Sequence, residues 1–175
     1  MLEFLKDPEV LEYMIQISGA FASGLCMGFG AIGAGTGIGL TAGGALEGMA
    51  RQPKVANDLL KTMLIGQSVT ESPAIFALVT AILLIFLDQT VTGMNMISMF
   101  PHMIAIISAG ICMGFGAFGP GLNDGYVSKE ACKAVARTPD ESGSIMKTML
   151  IGQATAQSTS VYAFVVSLCL IYMTK

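Results

Sequence analysis

The chain has 175 residues, 53% of them hydrophobic and only 12% charged, with a net charge of −3 and a mean hydropathy of +0.69. Such a composition is too apolar for an ordinary soluble domain. No basic stripe or nucleic-acid motif is present, so nucleic acid is excluded as a partner and membrane lipid takes its place.

In chain order, the acidic start (Glu3, Lys6, Asp7, Glu9, Glu12) lacks a positive n-region and runs directly into an apolar segment, so no cleavable signal peptide is expected. Four nearly uncharged segments follow, at 13–46, 62–87, 89–123 and 148–174. Each exceeds the roughly 20 residues that cross a bilayer as a helix. The expected fold is an all-α membrane protein of two tandem transmembrane hairpins. Residues 1–88 form the first, with helices at about 13–48 and 59–87. Residues 89–175 form the second, with helices at about 94–134 and 145–174.

The first helix is dense in glycine: Gly24, Gly28, Gly30, Gly33, Gly35, Gly37, Gly39, Gly43 and Gly44. Lipid supplies no hydrophobic drive between helices, so small residues matter by letting backbones approach. Close neighbours are therefore expected on both sides of this helix. A generic small-residue dimer face is the plainer reading. The turn that follows, Arg51-Gln52-Pro53, ends the helix at a proline.

In the second helix Glu71 is the only ionisable acid or base between Lys61 and Asp88. A carboxylate at that depth costs several kcal/mol on insertion scales and marks an ion or proton site by default. Two residues later stands Pro73, which has no N–H to offer the carbonyl of Val69. That carbonyl is left free for another partner, or the proline is simply a kink that the membrane tolerates.

The second half repeats the first. Cys26 to Ala31 returns as Cys112 to Ala117, and Lys61 to Gln67 returns as Lys147 to Gln153, at a single offset of 86 residues. The repeated unit is one helical hairpin, so function is expected between units. Copy two has fewer glycines in its first helix and carries Pro120, which is expected to disturb that helix. Its turn is Arg137-Thr138-Pro139.

Seven of the nine Lys and Arg residues sit in or beside the two turns, and none lies between Asp88 and His102. The positive-inside rule then places both turns in the cytoplasm and the termini outside. Cys26, Cys112, Cys132 and Cys169 lack metal-type pairing and read as small buried apolar residues. There is no nucleotide-binding glycine-lysine loop and no catalytic constellation.

A glycine-rich helix, an Arg-Gln-Pro turn and a second helix carrying Gly66-Gln67-Ser68-Val69-Thr70-Glu71-Ser72 resemble the c subunits (proteolipids) of rotary ATP synthase rotor rings. The tandem duplication is similar to the V-type-like, four-helix c subunits of the sodium-dependent F-type ATP synthases of acetogenic bacteria. This resemblance implies a rotor-ring subunit in the cell (inner) membrane that carries Na⁺, or alternatively H⁺. Its implied partners are other c subunits, subunit a, and the central-stalk subunits gamma and epsilon. The stalk contact falls on Arg51, Gln52, Pro53, Arg137 and Pro139, with Thr138 departing from the family's glutamine. Alternatives are the proteolipid of a V-type ion-pumping ATPase, and a structural or channel-forming oligomer of hairpins.

The resemblance also implies an ion site, and neither copy keeps it whole. Copy one retains Glu71 and Ser72, but Ile38, Pro73 and Phe76 replace the inner glutamine, the threonine and the tyrosine. Copy two retains Ser158, Thr159 and Tyr162, but Gln157 replaces the glutamate and Asp124 the inner glutamine. Amide and carboxylate have thus changed helices. Asp124 and Gln157 form either an inverted second site, or no site, with Asp124 solvated or paired to Lys129. Missing partners of Glu71 would come from the Thr155 carbonyl, Ser158, Thr159 and Tyr162 if copy two is its neighbour. The Val69 carbonyl would serve whichever hairpin faces it.

Overall fold

Backbone approach between two glycine-rich helices organises the molecule. The computed structural model describes residues 8–86 and 96–173. The acids Glu3 and Asp7, the connection 87–95 and the last two residues lie outside the described residues, as do the ends of the expected helices at 87, 94, 95 and 174. Helix α1 spans Pro8–Arg51, α2 Ala56–Thr70, α3 Ser72–Phe86, α4 Met96–Arg137 and α5 Ser142–Met173. Short 3₁₀ turns, Pro53–Val55 and Pro139–Glu141, begin the return leg of each hairpin. In both, proline supplies a φ already suited to a helical start and withholds an N–H that would have no partner there.

Among the described residues four stretches are long and apolar enough to cross a membrane: Val10–Arg51, Pro53–Phe86, Met99–Arg137 and Pro139–Met173. The expected single helix at 59–87 is two helices, because α2 ends at Thr70 and α3 begins at Ser72. Pro73 is the physical reason, since it removes one rung of the ladder and crowds the carbonyl four residues back. The amides of Ala74 and Ile75 both turn to the Glu71 carbonyl, at 3.0 and 3.2 Å. Pro120 and Pro101 interrupt nothing, and α4 runs through both.

Helices α1 and α4 make the largest contact and form an inner pair, with α2, α3 and α5 outside it. At Gly33 an added Cβ would stand 2.6 Å from the backbone of Phe118, and at Gly121 one would stand 2.8 Å from the backbone of Ala34. No side chain fits at that spacing, so glycine there sets the distance between the helices. The crowding expected on both sides of α1 is present on one side within the chain. Gly24, Gly28, Gly35, Gly39 and Gly43 meet nothing within 4 Å.

Among the described residues apolar packing falls into three clusters. One joins Leu11, Ile15, Leu84, Met99 and Ile171 near the termini. A central one joins Cys26, Ala77, Ala81, Met113 and Ala117. The third joins Ala45, Leu59, Cys132 and Val135 near the turns. Of the four cysteines, Cys26 and Cys132 are buried as expected, whereas Cys169 is exposed on α5. The duplication extends to hydrogen bonds. The Cys26 thiol donates to the Ala77 carbonyl at 3.3 Å and Cys112 to Ala163 at 3.8 Å. Gln67 and Gln153 likewise donate to the carbonyls of Ile38 and Asp124, each at 3.3 Å.

A buried polar layer between the hairpins

Between the central and turn-side clusters, α2, α4 and α5 meet through polar groups. Gly66 on α2 makes the meeting possible: an added Cβ would lie 2.8 Å from the Ser128 Cβ on α4. With no side chain in the way, Gln153 reaches across. Its amide nitrogen approaches the Ser128 hydroxyl at 2.9 Å and the carbonyls of Gly66 and Asp124 at 3.3 Å each. An amide has two N–H groups for these three acceptors, so they share its donors.

One turn further along α5, Gln157 bridges the two hairpins. Its amide nitrogen donates to the Val69 carbonyl at 2.7 Å and to Asp124 Oδ2 at 3.1 Å. The carbonyl that Pro73 leaves without an N–H therefore bonds the other hairpin. Asp124 is wholly buried, 0% exposed. Among the described residues it forms no ion pair with Lys129 or any other cation. Its burial also rules out the solvated alternative within this chain. Two buried acceptors, Asp124 Oδ1 and Gln153 Oε1, have no hydrogen-bond partner among the described residues.

Glu71 sits differently. It occupies the interruption between α2 and α3, exposed, and among the described residues no side chain bonds or pairs with its carboxylate. The residues expected to complete its shell are elsewhere. Ser158 donates to the Thr155 carbonyl of its own helix at 2.6 Å, Thr159 to Ala156 at 2.9 Å, and Tyr162 is 66% exposed. Within the chain, copy one faces copy two with the Val69 carbonyl and not with the Glu71 carboxylate. Ser72 lies half-buried beside the break. Phe76, in the tyrosine position, stacks on Phe164 of α5 with ring centroids 5.4 Å apart.

The turn residues gather at the opposite end. Arg51, Gln52 and Arg137 share a cleft of about 180 Å³ with Glu47 and Lys133. Lys133 of α4 lies 3.8 Å from Glu47 of α1, and Arg51 also pairs with Glu47. Pro53 is exposed and Pro139 half-buried. Sequence reasoning overlooked Gln153, Ser128 and Gly66. A signal was available: Gln153 and Gln157 stand four apart on one helix, as do Asp124 and Ser128, so each pair shares a face.

Comparison with known proteins matches both hairpins separately. The sequence profile of the ATP synthase C-subunit family fits residues 21–84 and again 107–170. The ATP synthase c subunit of Petrotoga mobilis is 40% identical over 68 residues, 39% of this chain and 71% of that protein. That of Dehalococcoides mccartyi is 46% identical over 70 residues, 40% of this chain and 92% of that protein. The ATP synthase c subunit 1 of Syntrophotalea carbinolica is 43% identical over 67 residues, 38% of this chain and 76% of that protein.

Proposed function

We propose, on the premise that this chain belongs to the ATP synthase C-subunit family, that it couples ion flow to ATP synthesis by loading and unloading a cation on Glu71. As a member of this family it is a multi-pass membrane protein with no catalytic role of its own, set in a ring with other c subunits. The observation that carries the reading is the state of Glu71: an acid inside an apolar span, at a break in its helix, its carboxylate without a side-chain partner among the described residues. A neighbouring protomer would complete the site, with groups of the kind copy two presents at Thr155, Ser158, Thr159 and Tyr162, while Ser72 and Val69 flank it. Oxygen donors of this sort suit a hard monovalent ion, Na⁺ first and H⁺ second.

Each ion carried across the membrane delivers about 2.3 kcal/mol per 100 mV. Subunit a would hand ions to the ring. The turns at Arg51, Gln52, Pro53, Arg137 and Pro139 would pass torque to gamma and epsilon on the cytoplasmic side, with the termini outside. One exchanging carboxylate per two hairpins would lower the ions spent per turn relative to single-hairpin subunits. Carbodiimide modification of Glu71 in the intact complex tests the reading. Protection by Na⁺ at neutral pH identifies a sodium site, and protection by alkaline pH alone identifies a proton site. Unchanged ion coupling in a Glu71→Gln complex would instead support a structural oligomer, and co-purifying subunits separate the F-type from the V-type assembly.

A further inference from the structure

We propose that the uncovered face of α4, formed by Gly119, Asn123, Tyr126 and Glu130, seats the inner helix of the next c-subunit hairpin in a seam that is closed at Gly119, hydrogen-bonded at Asn123 and splayed towards the turns. The internal repeat identifies what covers this face. Subtracting the 86-residue offset turns Gly119, Asn123 and Glu130 into Gly33, Gly37 and Gly44, three residues of α1 that lie against α4, and turns Tyr126 into Leu40. On α4 the same side is bare: Gly119 meets nothing within 4 Å, and Asn123, Tyr126 and Glu130 are exposed. The seam rests on membership of a ring and is independent of the ion role given to Glu71.

Within the chain the seam is tight because all three α1 positions are glycine. An added Cβ at Gly37 would overlap the Gly121 carbonyl, and one at Gly44 would stand 2.8 Å from the carbonyl oxygen of Lys129. Asn123 and Glu130 do carry side chains, so no neighbour can approach them as α4 approaches α1. Non-bonded carbon contacts settle near 3.5–4 Å, so the backbones there must part by about 1 Å or more. Gly119 alone keeps the glycine. The closest approach therefore falls at Gly119, and the gap widens over the following turns to Glu130.

Asn123 calls for protein and not lipid on this face. It stands 14 residues before Arg137, about 20 Å along a helix, within the apolar span Met99–Arg137. Among the described residues its amide has no hydrogen-bond partner. A bare amide is costly in hydrocarbon, and in membranes such side chains bond across helices. The repeat also describes the partner. Gly37 lies against Gly121 and Gly125, whose counterparts on α1 are Gly35 and Gly39, with the exposed Thr36 between them. The neighbour's inner helix must be of that kind, with small residues opposite Asn123 and a hydroxyl or free carbonyl to take its N–H groups.

The test images the rotor ring, purified from the intact complex, by electron cryomicroscopy. The neighbouring backbones are expected to be equally close at Gly33 and at Gly119, but about 1 Å or more further away at Asn123 than at Gly37, with the gap wider still at Glu130. Asn123→Gly combined with Glu130→Gly should close the gap to its width within the chain. If that variant fails to assemble, Asn123→Leu serves, since it keeps the bulk and removes the amide. Its ring should keep the wide seam and come apart at a lower temperature on a native gel. Evenly spaced inner helices, lipid density against Asn123, or an Asn123→Leu ring as heat-resistant as the wild type overturns the proposal. A chain with no hairpin beside α4 overturns ring membership as well, whereas even spacing leaves membership standing.

Discussion

The two hairpins share a fold and differ in where they keep their acid. Hairpin one carries Glu71 on its outer helix, exposed, its carboxylate without a side-chain partner among the described residues. Hairpin two carries Asp124 on its inner helix, wholly buried and tied to Gln157. Moving a carboxylate from the outer to the inner helix changes it from an exposed group into one enclosed by its own chain. Pro73 reinforces the difference. It breaks the outer helix of hairpin one at Glu71, and it frees the Val69 carbonyl that hairpin two takes up through Gln157.

Removal of the exposed acid carries the largest expected effect. Glu71→Gln in the assembled complex should reduce ion-driven ATP synthesis to background while the chain still inserts, whereas Asp124→Asn should leave most of the coupling intact; synthesis in energised vesicles reads both. Next in size is the one side chain among the described residues that donates to the enclosed carboxylate. In the wild-type background, Gln157→Leu strands the Asp124 carboxylate and should cost about 3 kcal/mol, read as a shift in the denaturant midpoint of the purified chain. The equivalent change at Glu71, Glu71→Leu, should leave that midpoint unchanged or raise it, since among the described residues no side chain bonds its carboxylate.

Gly33→Leu forces a side chain into the Phe118 backbone on α4 and should cost about 2 kcal/mol. Gly35→Leu, on the open face of the same helix, should leave the isolated chain stable but block its packing against other c subunits, as seen by native electrophoresis of the assembled ring. Least disruptive is Pro73→Ala, which gives the Val69 carbonyl its helical partner back. A continuous outer helix and slow hydrogen exchange at the new amide are expected, with the Gln157 bridge to Val69 weakened.

Much of this was legible in the sequence because it depends on local chemistry and on counting. Four apolar segments, the 86-residue repeat and the turns follow from composition and from identical runs such as those at Cys26 and Cys112. The freed Val69 carbonyl follows from proline having no N–H, whatever the helix packs against. Glu71 stands out because nothing near it in sequence is charged. The missing part concerned rotation: Asp124 could have pointed to water, to Lys129 or to α5, and a helical sequence alone leaves those directions nearly equal.

Residue identity by itself determined that the chain crosses a membrane as two related hairpins, with one acid deep in each. Tertiary structure alone decided which acid is enclosed, that Gln157 and, among the described residues, no cation reaches Asp124, that Gln153 reads the Gly66 carbonyl across the hairpin seam, and that the Gly24, Gly28, Gly35, Gly39 and Gly43 face stays open. The physical reason is that helix formation is settled by bonds within four residues. The way each helix turns depends on the contact between α1 and α4, where small residues far apart in the chain let two backbones touch.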